Sequence, residues 1–487
     1  MSNKIVLFIF CLFFGSCLSR PNHFIEPESR VFPSSWPSTT LVNPEPAESR
    51  SPDDNRGRFK FSLNESIKIA LANNRSLKIA LEGKNKAEGK VKESAASRYP
   101  SLTANLSYSR IDETTEFETG GRTVTIGDLN TYKSEASLKQ TLYQGGKIAA
   151  TNESAKLNRQ LAELQFIDTE EFVIFQTAKS YDEVLLNREI LDVNRKSLAT
   201  ASAHRDNVKA LNQQGMASDY ELLRAEVQVS NLKTFVLQSE SNLKLSGLNL
   251  LKTMGWPTGD HPLSAYGGTS EVELTDQLHY APISPDGINF QNVLETAFRQ
   301  RADLKQAQLT IDIQQKNIAI TRSSLLPNLA LSFNTGYEKP SRKDFGVVDW
   351  GDYWNAGATV SFPLFEGGLT RSKLIQEKSI LQQHQVTLRE TEEKIRYEVR
   401  QAVLLLKDAE ELLVAQKENV TQAEEGSRLA ELGFKNGVNT QLEVMDAQMA
   451  LDLARKNYLA AVYQYHLADL MFKKAIGGLK KDYLLAE

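Results

Sequence analysis

Two long stretches, about Gly146 to Gln213 and about Gly368 to Lys435, carry apolar residues at helical intervals. Leu157, Leu161 and Leu164 mark the first, and Leu388, Ile395, Val399 and Ala402 the second. That spacing lines them along one helix face. Neither stretch contains proline, so each predicts one uninterrupted helix of about 68 residues, roughly 100 Å at 1.5 Å per residue. Shorter periodic segments flank them: leading helices at about Asn64 to Ser97 and Gln291 to Ser324, and return helices at about Asp219 to Thr253 and Gln441 to Ile476. These run to about 35 residues, roughly 50 Å each. One long helix therefore matches two short ones stacked end to end, which predicts a wall built in that way.

Between the leading and the long helices the period changes to two. Leu102, Ala104, Leu106 and Tyr108 alternate with Thr103, Asn105, Ser107 and Ser109. Leu329, Leu331, Phe333 and Tyr337 share one face further on, and Trp354, Ala356, Ala358, Val360 and Phe362 alternate with Asn355, Gly357, Thr359 and Ser361. The stretch from Tyr132 to Leu142 alternates less cleanly. Apolar-out, polar-in alternation with aromatics near the ends is what a membrane barrel requires; a half-buried soluble hairpin produces it too. Four strands cannot close a barrel alone, since known membrane barrels begin at about eight, and open edges are not viable in lipid. Strands entering a membrane here therefore require several chains to share one barrel.

The pattern is duplicated. Leu63–Leu77 aligns with Phe290–Leu304, placing Ala70 on Ala297, and Pro100-Ser101-Leu102 falls on Pro327-Asn328-Leu329 at the same offset, about 227 residues. Beyond the strands, Leu142-Tyr143-Gln144-Gly145-Gly146 matches Leu364-Phe365-Glu366-Gly367-Gly368, Gly215 matches Gly437, and Glu221 matches Glu443, at an offset of about 222. The first copy thus holds about five extra residues between its strands, where a surface loop tolerates them. The expected organisation is a leader over 1–17, a flexible tether over 18–58, repeat 1 over 59–254, a Pro- and Gly-containing belt over 255–289, repeat 2 over 290–477 and a tail over 478–487.

Composition narrows the class. Of 487 residues with net charge -4, nothing points to nucleic acid, and a mean hydropathy of -0.38 is far from that of a bundle of membrane-spanning helices. Lys4, the apolar run Ile5–Phe14 and the small pair Gly15-Ser16 form a secretory signal. Cys17 follows directly, as in a lipoprotein signal whose cysteine becomes the lipidated first residue. Phe14 stands where that pattern prefers leucine, and ordinary cleavage nearby is the alternative. Cys11 and Cys17 are the two cysteines, so the exported chain is expected to form no internal disulfide. The histidines lack ligand spacing, and the glycine pairs lack the Gly-Lys-Ser/Thr continuation of a phosphate loop. Neither a metal, a cofactor nor an enzyme is expected.

Phe61-Ser62-Leu63 with Ala70-Leu71 and Asn73-Asn74, Tyr99-Pro100-Ser101-Leu102, Pro327-Asn328-Leu329, Phe362-Pro363-Leu364-Phe365-Glu366-Gly367-Gly368, and Gly433-Phe434 leading to Gly437 resemble, in order and duplication, the TolC-like outer-membrane efflux ducts. The resemblance spans about Phe59 to Gly477. It implies an α+β membrane protein: four strands per chain in a shared transmembrane β-barrel, and long helices in a periplasmic α-barrel. It further implies a homotrimer with twelve strands and twelve helices, set in outer-membrane lipid, docked at its tips near Gly215 and Gly437 to a periplasmic adaptor, and fed by an inner-membrane pump of an efflux or type I secretion system. At the positions of Glu443 and Asp446 the family places an acidic ring around its closed entrance. A ring of that kind favours cations; on a single helix the same two residues also read as ordinary solvated acids. The family's tyrosine and arginine latch positions fall on Phe434 and Asn439, which cannot make those links, while Glu221 retains the acidic partner. The rival reading is an exported coiled-coil scaffold with soluble hairpins.

Overall fold

The computed structural model describes residues 59–126, 128–256, 272–278, 289–341 and 349–484. The expected leader, tether, Cys17 and most of the belt lie outside them. The first copy comprises β1 (Phe59–Phe61), α1 (Leu63–Asn73), α2 (Arg75–Ala96), β2 (Ser101–Arg110), β3 (Thr115–Thr119), β4 (Arg122–Ile126), β5 (Asn130–Gln144), α3 (Lys147–Gln213) and α4 (Asp219–Thr253). After β6 (Val272–Leu274), the second copy comprises α5 (Phe290–Gln300), α6 (Ala302–Ser323), β7 (Asn328–Lys339), β8 (Gly351–Ser361), α7 (Leu369–Lys435) and α8 (Gln441–Ala475), followed by α9 (Leu479–Leu484).

The copies match element for element. Both leading segments divide into 11 and 22 residues, both long helices have 67, and both return helices have 35. The single leading helix expected in each copy is therefore two. The breaks fall at Asn74 (φ -58°, ψ 129°) and Arg301 (φ -58°, ψ 127°), both extended rather than helical. Each break meets the end of a return helix. Asn74 Nδ2 donates to the Thr253 carbonyl at 2.8 Å, and a Cβ on Gly255 would come within 2.5 Å of the Asn73 carbonyl. In the second copy, Arg301 Nη1 reaches the Ala475 carbonyl at 3.5 Å. Short helices thus abut end to end beside each long one, as the lengths require.

Two buried clusters sit at these junctions. Ala70, Val173, Leu250, Leu251 and Met254 belong to one; Ala297, Ile395, Val399, Ala402 and Ala475 belong to the other. The long helices therefore carry their main anchors near mid-length. Around the first junction, β1 pairs in parallel with β6, a three-residue ladder that sequence reading missed. The Tyr181 hydroxyl donates to Asp276 at 2.7 Å, and Arg188 donates to the Leu274 and Asp276 carbonyls at 3.0 and 2.8 Å. Together these bonds strap β6 to α3.

The four-stranded sheet has the order β2-β5-β7-β8 and is antiparallel throughout. The connection between β2 and β5 carries the additional hairpin β3–β4. Strand passes to helix through Gly145-Gly146 (φ 57° and 81°) and Gly367-Gly368 (φ 60° and 82°). This left-handed backbone costs glycine nothing and other residues about 1 kcal/mol or more apiece.

Candidate functional site

Register sorts the sheet into two chemically distinct faces. One face carries the rows Leu102–Leu138–Phe333–Ala356 and Ala104–Ala136–Thr335–Trp354. The alternate rows, Thr103–Ser137–Asn334–Asn355 and Asn105–Glu135–Gly336–Tyr353, are polar. Strand β5, which looked irregular alone, joins this division: Lys133, Glu135, Ser137 and Lys139 point to the polar side, and Tyr132, Ala136 and Leu138 to the apolar side. Polar side chains bond laterally, Ser137 to Asn334 at 2.5 Å and Asn334 to Asn355 at 2.8 Å. Glu135 accepts from the Tyr353 hydroxyl at 2.7 Å, reaching across β7 at Gly336, where no side chain intervenes.

The apolar face has no cover. Leu106 is 85% exposed, and Leu102, Trp354 and Val360 are exposed with it. Aromatics bound it at both ends. Tyr108, Tyr132 and Trp350 cluster at one end, with ring centroids 4.9 and 6.1 Å apart. Exposed Tyr99, Tyr143 and Phe362 mark the other, beside Leu364 and Phe365 at 88% and 90% exposure. Strand β8 has 11 residues, about 36 Å at 3.3 Å each. Tilted by about 40°, that matches an apolar band of about 25 Å flanked by aromatic girdles. No helix among the described residues is long and apolar enough to cross a membrane.

The lateral order continues into the helices. At the sheet-proximal level α2 packs on α3, α3 on α6 and α6 on α7; at the distal level α4 packs on α3, α3 on α8 and α8 on α7. Each level is four helices wide, as the sheet is four strands wide. The helices at its two edges carry exposed apolar residues: Tyr220, Leu223 and Val227 on α4, and Tyr397, Leu404, Leu412 and Leu429 on α7. The strands β2 and β8 are the two edges of the sheet among the described residues, and they run in opposite directions.

The tips are the α3–α4 and α7–α8 turns, where Gly215 and Gly437 each adopt φ 73°. Glu443 and Asp446 lie exposed in the first two turns of α8. The structure gives Glu443 a local task that sequence reading missed. Thr440 N and Oγ1 donate to its carboxylate at 2.6 and 3.2 Å, while Thr440 Oγ1 accepts from the Glu443 amide at 3.4 Å. Ser218 and Glu221 repeat this capping box on α4. The Ser218 amide and hydroxyl hold the Glu221 carboxyl below its ordinary range. Ser-x-x-Glu and Thr-x-x-Glu are the sequence signature of such a box, so the signal was present. Asn439 turns back into its own loop: its Nδ2 donates to the Ala430 carbonyl at 3.4 Å. Phe434 makes an edge contact with His204 of α3 at 5.9 Å between centroids. Phe434, Asn439 and Glu221 are thus brought to one end of the molecule, each with its own partner.

A chain whose sheet turns an apolar face outward, and whose helices extend that sheet as a wall, belongs among the outer-membrane ducts by fold. The sequence profile described as "Outer membrane efflux protein" matches residues 66–255 and 293–478, and the chain belongs to that family. It is 25% identical over 349 residues to outer membrane protein TolC of Vibrio cholerae, covering 71% of this chain and 76% of TolC. It is 23% identical over 436 residues to the proteases secretion protein PrtF of Dickeya chrysanthemi, covering 87% and 90%. Among solved structures, the Campylobacter jejuni CmeC outer membrane channel superposes with a TM-score of 0.72 at 21% identity, covering 85% of both chains. CusC gives 0.70 at 19%, covering 89% of this chain and 96% of CusC. The protein is an outer-membrane channel with a helical periplasmic portion, and its relatives are channels rather than enzymes.

Proposed function

We propose that three copies close side to side into a twelve-stranded barrel and a twelve-helix tunnel. The assembly is the exit duct of a tripartite efflux or type I secretion system. The observation that carries this reading is the shared lateral order: sheet and helical wall are both open on the same two flanks. Because β2 and β8 run in opposite directions, β8 of one copy placed beside β2 of the next continues the antiparallel ladder. Closure satisfies the edge backbone groups, which lipid cannot do, and covers the apolar flanks of α4 and α7. Three as the number of copies is the family's, and twelve strands is within the range of known barrels.

In this assembly the polar rows face the lumen and the apolar rows face lipid. Glu443 and Asp446 ring the periplasmic entrance, and the tips around Gly215 and Gly437 receive the adaptor that links the duct to an inner-membrane pump. Acylation at Cys17 would add a second membrane anchor. Transport is passive here, with the energy supplied by the pump. Purified protein in a planar bilayer should give discrete ohmic channels; a protein that inserts nowhere and leaves the membrane on alkaline washing would instead be the exported scaffold.

A further inference from the structure

The family resemblance marks Glu221, Phe434 and Asn439 as entrance-latch positions, and each has a partner of its own in this chain. Glu221 caps its own helix through Ser218. Asn439 packs on Gly433 and bonds within its own turn. Phe434, in the last turn of α7, lacks a hydroxyl and leans on His204, which lies on α3 about three turns before the tip. The matching position in the first copy is Asn212, which donates to the Ala217 carbonyl and to Asp219, both at 3.0 Å. Asn212 secures its own turn, whereas Phe434 reaches from the α7–α8 hairpin to the α3–α4 hairpin.

We propose that His204 and Phe434 form the latch that holds these two hairpins together at the entrance, and that acidification releases it. The proposal rests on the duct reading above. The rings meet edge to face, at 63° between planes, so that the positive edge of one meets the negative face of the other. His204 Nε2 is buried and has no hydrogen-bond partner. A neutral imidazole tolerates this as an acceptor left empty. A protonated one has a second N–H with nowhere to donate, which the buried setting penalises. Burial accordingly lowers the proton affinity of His204, and Glu431, one turn before Phe434 on α7, opposes this only in part. On α3 itself the neighbouring Arg205 is paired with Asp206 at 2.6 Å. Separation of the hairpins would return the imidazole to water and to its ordinary affinity near pH 6.5. The latched state therefore binds the proton less tightly than the released state, and falling pH favours release.

The test uses the full-length protein in planar bilayers at pH 8 and pH 5. Wild type should rise several-fold in open probability or conductance at the lower pH. Phe434→Ala and His204→Ala should each be open at pH 8, and the double variant should be no more open than either single one. His204→Phe, which keeps the ring contact without a titratable group, should stay closed at both pH values. Retention of the full acid response by His204→Phe would overturn the proposal, as would wild-type behaviour in Phe434→Ala. Where an alanine variant fails to assemble, the His204→Phe comparison still decides. Channels from wild type without these effects would reject the latch alone; no channel activity from wild type would reject the duct reading with it.

Discussion

Asn74 and Arg301 occupy the same place in the two copies, and each ties the break in a leading helix to the end of the return helix stacked on it. Asn74 does so with an amide, which also caps α2 by accepting from Ser76 N at 2.9 Å. Arg301 does so with a guanidinium that bridges Asp303 and Glu398, both at 2.6 Å. One architectural joint is thus built in two chemistries, neutral in the first copy and ionic in the second.

Removing either joint should weaken the wall unequally. Asn74→Ala loses a cap and a bond to Thr253, worth about 1–2 kcal/mol. Arg301→Ala strands two partly buried carboxylates and should cost about 2–3 kcal/mol, below the full penalty for a wholly buried pair because Asp303 and Glu398 remain partly exposed. Thermal melting of the detergent-solubilised protein should rank Arg301→Ala below Asn74→Ala, and both below wild type.

The ionic joint also predicts a pH dependence. Burial raises the affinity of Asp303 for a proton, but Arg301 overcomes this and holds its carboxyl below the ordinary value. Its contribution is therefore complete above the unfolded value of about 3.9 and is lost as pH falls through the lower folded one. Glu171 on α3 is shifted oppositely, first by burial and then by Asp168, so its ionisation at neutral pH opposes folding. Glu171→Gln should raise the melting temperature at pH 7 and change it little near pH 4.

The helical wall was readable from the sequence because it rests on local signals: proline-free periodicity over 67 residues, and glycine pairs at each strand-to-helix passage. The breaks at Asn74 and Arg301 were not. Neither Asn73-Asn74-Arg75 nor Gln300-Arg301-Ala302 contains a strong helix breaker; the break is set by the end of a distant helix. The β1–β6 ladder joins residues separated by the rest of the first copy, its long and return helices included, and is too short to announce itself. The capping roles of Glu221 and Glu443 were legible but were overshadowed by their family positions. Phe434 meets His204 only through the folded arrangement, which no local pattern encodes.

The two faces of the sheet should tolerate charge differently. Leu106→Arg places a cation on the apolar face and should cost about 2–4 kcal/mol if it lies near mid-bilayer, seen as reduced insertion. Asn105→Arg, one residue away on the polar face, should insert normally and alter ion selectivity instead.

If Glu443 and Asp446 ring the entrance as proposed, Glu443→Gln with Asp446→Asn should reduce cation selectivity in planar bilayers. Loss of the charged cap at Thr440 adds a stability cost of about 1 kcal/mol or less, so selectivity is to be compared at a temperature where both proteins remain folded. Unchanged selectivity would remove these residues from the entrance ring.

In the proposed duct the open flanks of one copy are closed by others. Native mass spectrometry of detergent-extracted protein tests it most directly. The duct predicts a single species of three chains. A monomer that stays soluble without detergent would contradict it.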